Sequence, residues 1–107
     1  MRQTKSLFIE DDVKINLIYR TKKLYFIICS FKNGSVLLNF QLNYRRPYGR
    51  GLGLVSVCDS REEYVDDIKD ILNMCPSKCA RKVIKKFYHD NTKILEQLDR
   101  RYKEICQ

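Results

Sequence analysis

Residues 35–44, Ser-Val-Leu-Leu-Asn-Phe-Gln-Leu-Asn-Tyr, constrain the fold more than any other stretch. Val36, Leu38, Phe40 and Leu42 share one parity, and Asn39, Gln41 and Asn43 share the other. A period of two makes distinct faces only on an extended strand. The apolar face requires a covering layer; the opposite face offers amides and no charge. Lys32-Asn33-Gly34 precedes it and signals a hairpin, because Asn-Gly favours the positive φ of a type I′ turn. The partner across that turn is Leu24–Phe31, aromatic and β-branched and apolar on both faces.

Two further strands complete the first half. Val13, Ile15, Leu17 and Tyr19 alternate with Lys14, Asn16, Ile18 and Arg20, which predicts a half-buried strand joined to the next by Thr21-Lys22-Lys23. Residues 45–50 read as a loop, marked by Pro47 and Gly49, and residues 51–57 as a fourth strand. Gly51 and Gly53 weaken that strand and mark a close backbone approach. Short connections make an antiparallel meander the simplest topology.

The second half reads as helix. Ser60 with Glu63 forms a capping box, followed by an apolar stripe of Tyr64, Val65, Ile68, Ile71 and Leu72. Its acidic residues lie mostly early, where the helix dipole favours them. Pro76 fits the first turn of a second helical segment, with Ala80, Val83, Ile84 and Phe87 on one side. The stripe resumes at Ile94, Leu95, Leu98, Tyr102 and Ile105. His89-Asp90-Asn91 interrupts it, either as a polar turn of one long helix or as a break capped by Asp90. The fold class expected is therefore α+β: a four-stranded antiparallel sheet and a helix (β-β-β-β-α) with a C-terminal helical extension. Its 107 residues suit a single domain, with sheet at 1–58, helix at 59–74 and the extension at 76–106.

Charge gives the first functional indication. The net charge is +8, and residues 59–74 carry six of the 13 acidic side chains. A basic front and tail around an acidic segment suggest a field directed at a polyanion. The longest apolar run, residues 24–29, is far short of the roughly 18–20 needed to span a bilayer, so no membrane partner is expected. Residues 1–12 run into acid too early for a secretory leader. The five cysteines form an odd set and read as reduced thiols of an intracellular protein. Usage leans to Ile, Lys, Asn, Tyr and Phe without Trp, which suggests an A/T-rich coding sequence as in some large viruses or parasites.

Cys75, Cys79, His89 and Cys106 have the types of a zinc site, but such a pair needs a turn between its cysteines and Cys79 falls inside a helix. No cofactor or metal is expected. Nor is an enzyme: there is no nucleophile elbow, no phosphate-binding Gly-rich loop with Lys-Ser/Thr and no His-rich motif. The better case is Tyr44-Arg45-Arg46-Pro47-Tyr48-Gly49-Arg50. Single strands are held by basic grooves and by rings on which bases stack, and this segment interleaves both. Phe31 and Lys32 at the hairpin supply one more of each. The alternative is that these rings close the core at strand ends. A second basic group, Lys78, Arg81, Lys82, Lys85 and Lys86, lies along the second helix, where it faces solvent or docks an acidic partner.

Residues 24–72 resemble the single-stranded DNA-binding domain of the positive cofactor 4 family of transcription coactivators. The likeness runs through Leu24-Tyr25-Phe26-Ile27-Ile28, Phe31-Lys32-Asn33-Gly34-Ser35-Val36, residues 39–44, Gly51-Leu52-Gly53-Leu54 and Glu62-Glu63-Tyr64. The resemblance implies a β-β-β-β-α fold, a homodimer formed through its helices, and channels for single-stranded or melted DNA. It implies stacking by Phe31 and Tyr44, and phosphate contact by Lys32 and Arg50. The chain departs from the family with an extra residue at Asn33-Gly34, with Ser35, Gln41 and Gly51 where basic residues are usual, and with Tyr44 in place of Trp; residues 75–107 lie beyond the family core. The combined expectation is non-catalytic binding of single-stranded nucleic acid through Phe31, Lys32, Tyr44, Arg45, Arg46, Tyr48 and Arg50. Transcription or replication proteins are further expected partners, in the nucleus or a viral replication or transcription compartment. The alternative is a protein-interaction module docking an acidic partner through its basic helix.

Overall fold

The computed structural model describes residues 13–43 and 53–106. Four strands, β1 (Val13–Arg20), β2 (Leu24–Phe31), β3 (Val36–Leu42) and β4 (Gly53–Cys58), pair antiparallel in the order β1-β2-β3-β4. Three helices follow: α1 (Arg61–Met74), α2 (Lys78–Asp90) and α3 (Lys93–Ile105). This is the α+β meander expected from the alternation of strand residues and the helical stripes.

The sheet and all three helices share one core. Leu24, Phe26 and Ile28 of β2 and Val36, Leu38 and Phe40 of β3 project from one face into it, with Phe26 and Phe40 edge to face at 6.1 Å. Tyr64, Ile68 and Ile71 of α1, Ala80 and Ile84 of α2, and Ile94, Leu95 and Leu98 of α3 complete it. Each large apolar side chain so enclosed stabilises the fold by about 1.5–3 kcal/mol. The extension after residue 75 thus covers the sheet together with α1. Tyr102 and Ile105, expected in the apolar stripe, are instead about half exposed at 51% and 48%; the stripe outruns the sheet it packs on.

The local signals resolve as follows. Ser60 caps α1, its Oγ accepting from the Glu63 amide at 3.2 Å, while the Glu63 carboxylate accepts from the Asp59 amide at 2.7 Å. Pro76 lies outside the second helix: Ser77 is the cap, accepting from the Ala80 amide at 3.1 Å, and α2 begins at Lys78. Of the two readings of residues 89–91 the break is correct, but Asp90 ends α2 in an ion pair with Lys86, and Thr92 starts α3.

β1 departs from simple alternation. The register shifts between Ile15 and Leu17, so that Ile15 pairs with Cys29 and Leu17 with Ile28. The extra residue, Asn16, makes a bulge that moves the strand's apolar set from one face to the other. Leu17 and Tyr19 therefore pack on the core, and Ile15 turns to the far face, 49% exposed. The Asn16 side chain accepts from the Ser30 hydroxyl at 2.7 Å, which gives the bulge a buried polar anchor.

The β2–β3 turn also differs from the type I′ expectation. Asn33 keeps a negative φ, and only Gly34 in the turn is positive, at +97°. The Gly34 amide donates to the Phe31 carbonyl and the Phe31 amide to the Ser35 carbonyl, both at 2.9 Å. This is the three-residue hairpin loop in which a type I turn is followed by a left-handed residue. Asn33 Oδ1 closes it by accepting from the Ser35 amide and hydroxyl.

Candidate nucleic-acid interface

The face of the sheet away from the helices is built from the odd positions of β2, β3 and β4. Strand register sets its rows: Arg20, Tyr25, Gln41 and Gly53 at one end, then Ile18, Ile27, Asn39 and Val55, then Ile15, Cys29, Leu37 and Val57, with Val13 beside Phe31 at the other end. Gln41 Nε2 donates to Asn39 Oδ1 at 3.0 Å. Ile27 and Cys29 are buried, whereas Ile18, Val55 and Val57 on the outer strands are more than half exposed. Tyr25 and Phe31 are half-buried, one ring toward each end.

Of the seven residues expected to bind nucleic acid, Phe31 and Lys32 are described. Phe31 closes β2 on the far face, and Lys32 is exposed in the turn. Tyr44, Arg45, Arg46, Tyr48 and Arg50 lie outside the described residues, as do residues 1–12 and Gly51. The described chain does fix where the 44–52 connection starts and ends. Asn43, at a positive φ of 57°, donates its amide to the Lys23 carbonyl, and Gly53 pairs with Gln41. The connection therefore joins the end of the sheet that carries Arg20, Lys22 and Lys23. Phe31 and Lys32 stand at the opposite end, about 20–25 Å away along seven strand residues. A binding surface that used both groups would run the length of the sheet.

Gly53 bears out the close approach expected of it. A Cβ there would lie 2.9 Å from the Phe40 carbonyl oxygen, so a side chain would push β4 off β3.

The basic front half is legible in the sequence, but its members Arg20, Lys22 and Lys23 carry no motif of their own. Residues 13–58 contain eight basic side chains and no acidic one, while residues 59–106 contain eleven basic and ten acidic. Among the described residues the strands and their turns carry five basic side chains and no acidic one, and the helical layer is close to neutral. The signal that finds Arg20, Lys22 and Lys23 is the lack of any carboxylate over 46 consecutive residues.

The other candidates take structural roles. Asp67 of α1 accepts from the Ser56 hydroxyl at 2.6 Å and the Cys58 thiol at 3.4 Å, tying helix to strand. Burial, aided by that carboxylate, pushes the Cys58 thiol up to about 12. The Tyr64 hydroxyl is buried with no hydrogen-bond partner among the described residues, and burial raises its ionisation above the ordinary phenol range. In the basic helix α2, Arg81 donates to the Cys75 carbonyl at 3.0 Å and Lys86 pairs with Asp90, whereas Lys78, Lys82 and Lys85 are exposed. His89 is exposed, edge-on to the Tyr88 ring. Among the described residues no group of three or more His, Cys, Asp or Glu is placed to hold a metal ion, and no described helix is long and apolar enough to cross a membrane.

Fold and charge together define a small α+β protein with a helix-covered sheet whose second face is basic at its ends. Compared with protein-family models, curated proteins and solved structures, the chain matches none.

Proposed function

We propose that the protein binds single-stranded or melted nucleic acid without catalysis, along the sheet face opposite the helices. The observation that carries this reading is the complete lack of carboxylates in residues 13–58, against eight cations. A phosphate backbone crossing this layer meets no repulsive charge from residues 13–58, and each neutralised phosphate releases counterions. Tyr25 and Phe31 are described rings on this face, and stacking contributes about 1–3 kcal/mol per base. The proposal includes Tyr44, Tyr48, Arg45, Arg46 and Arg50, which in the chain lie between Asn43 and Gly53. The resemblance to the positive cofactor 4 family supports the same reading and suggests a role in transcription or replication.

A homodimer accompanies the proposal. The exposed apolar tip of α3, Tyr102 and Ile105, is a surface on which a second copy's helices would pack. Light scattering with and without an oligonucleotide measures this directly.

Fluorescence anisotropy tests the binding. Oligo-dT is expected to bind more tightly than a duplex of equal length, with affinity falling as salt rises. Tyr44→Ala with Arg50→Ala is expected to weaken binding and leave the melting curve near wild type. Equal affinity for duplex, or no dependence on salt, would refute the proposal.

The second reading, a module docking an acidic protein, draws on the exposed Lys78, Lys82 and Lys85 of α2. Replacing Lys82, Lys85 and Lys86 by Glu separates the two: loss of a protein partner with oligonucleotide binding intact favours the second.

A further inference from the structure

The β2–β3 turn and the C-terminal half of α3 enclose a cleft of about 400 Å³. Its walls include Phe31 and Lys32 from the turn and Gln97, Arg100, Arg101 and Glu104 from the helix. We propose that this cleft is a second phosphate-binding subsite for single-stranded nucleic acid, in which Lys32 and Arg100 hold the backbone of a strand whose neighbouring base meets Phe31 on the far face of the sheet. The inference rests on the reading above and extends it to α3, which lies outside every motif that suggested that reading.

The cleft is preorganised. Gln97 Nε2 donates to the Gly34 carbonyl at 2.9 Å, locking helix to turn. Glycine at position 34 allows the approach: a Cβ there would come within 3.2 Å of Arg101 Cβ, at a φ of +97°. Arg101 Nε donates to Asp59 at 3.1 Å, so this guanidinium is a fixed wall with part of its charge already answered. Lys32 and Arg100 are exposed, and neither forms an ion pair among the described residues. With Arg101 answered by Asp59, the unpaired cations Lys32 and Arg100 face one carboxylate, Glu104, which leaves a net positive site for an anion. Phe31 stands at the same end of the sheet with its side chain on the far face, where the next base of a bound strand would stack, which favours a strand over bare phosphate.

Position supports the assignment. The cleft lies about 20–25 Å from Asn43 and Gly53, at the opposite end of the sheet. One strand laid along the far face would reach both, and sites of about 4–16 nucleotides are usual for such platforms. Two basic ends joined by a carboxylate-free sheet make one continuous track.

The test compares a fluorescein-labelled 20-mer of dT on the wild-type protein and three variants, over a range of salt. Lys32→Ala with Arg100→Ala is expected to weaken binding by about tenfold or more. It is also expected to flatten the slope of log affinity against log salt by about 1.4, two contacts at about 0.7 each. Lys82→Ala with Lys85→Ala removes the same charge from α2 and is expected to change affinity less than threefold. Glu104→Gln is expected to tighten binding. Thermal melts report whether each variant stays folded, and inorganic phosphate added as a competitor separates a bare-anion site from a strand site. Equal losses in the two double variants, no loss in the first, or displacement by millimolar phosphate would overturn the cleft while leaving the wider reading standing. Wild-type protein that ignores the 20-mer would remove both.

Discussion

The Ser56 hydroxyl of β4 donates to the Asp67 carboxylate of α1 at 2.6 Å, and the Cys58 thiol two residues along donates to the same oxygen at 3.4 Å. One carboxylate thus answers two polar groups from the strand and sets the height at which α1 crosses it. Asp67→Ala leaves both without their acceptor. It is expected to lower the unfolding free energy by about 1–3 kcal/mol, read from urea denaturation. Val55→Ala, on the far face and 64% exposed, is expected to stay within about 0.5 kcal/mol.

Alkaline pH is expected to destabilise the protein through the same corner. Burial holds the Cys58 thiol protonated to about 12, whereas an unfolded chain releases that proton near ~8.5. The contribution is therefore complete below that value and is lost as pH rises toward the folded one. Tyr64, raised by burial, adds a second loss above its ordinary ~10. Urea midpoints are expected to fall from pH 8.5 upward, and Cys58→Ala to flatten the fall between pH 8.5 and 10. An unchanged slope in that variant would contradict the assignment.

The helix starts divide into two kinds. Ser60 and Ser77 each accept a backbone amide, at 3.2 and 3.1 Å. Thr92 sits in helical backbone at φ −73° and makes no capping hydrogen bond. Replacement of either serine by Ala is expected to cost about 1 kcal/mol, and Thr92→Ala only a few tenths. Chemical denaturation of the three single variants checks the order.

Gly34→Ala combines a left-handed backbone with a contact on Arg101. It is expected to cost about 1–2 kcal/mol from conformation alone. It is also expected to release Gln97 from the turn, which faster hydrogen exchange in the last turns of α3 would report. A variant as stable as wild type would show that the helix does not depend on that approach.

The residues that spoke plainly in the sequence were those whose partners are near in the chain or whose pattern has one period. Val36, Leu38 and Phe40 announced β3, and Ser60 with Glu63 announced the start of α1. The bulge at Asn16 was hidden because β1 carries apolar residues at both parities, Val13 and Ile15 on one and Ile18 on the other, so either register looked buried. Pro76 and Ser77 offered competing helix starts, and the bond from Ala80 to Ser77 decided between them. For the candidate site, antiparallel pairing puts Phe31 a strand's length from Asn43 and Gly53, a separation that the spacing of the motifs does not reveal. Arg100 could not be found by reading along the chain, because its place beside Lys32 depends on Gln97 reaching Gly34, 63 residues earlier.

Among the described residues the strands and their turns hold only cations while the helices are nearly balanced, so this part of the molecule has an electric moment pointing from helices to sheet. In the potential of a polyanion such a body experiences a torque before any contact forms. Rotational alignment would then be settled during approach rather than by trial collisions, with the sheet arriving foremost, and raised ionic strength would slow capture as well as loosen grip.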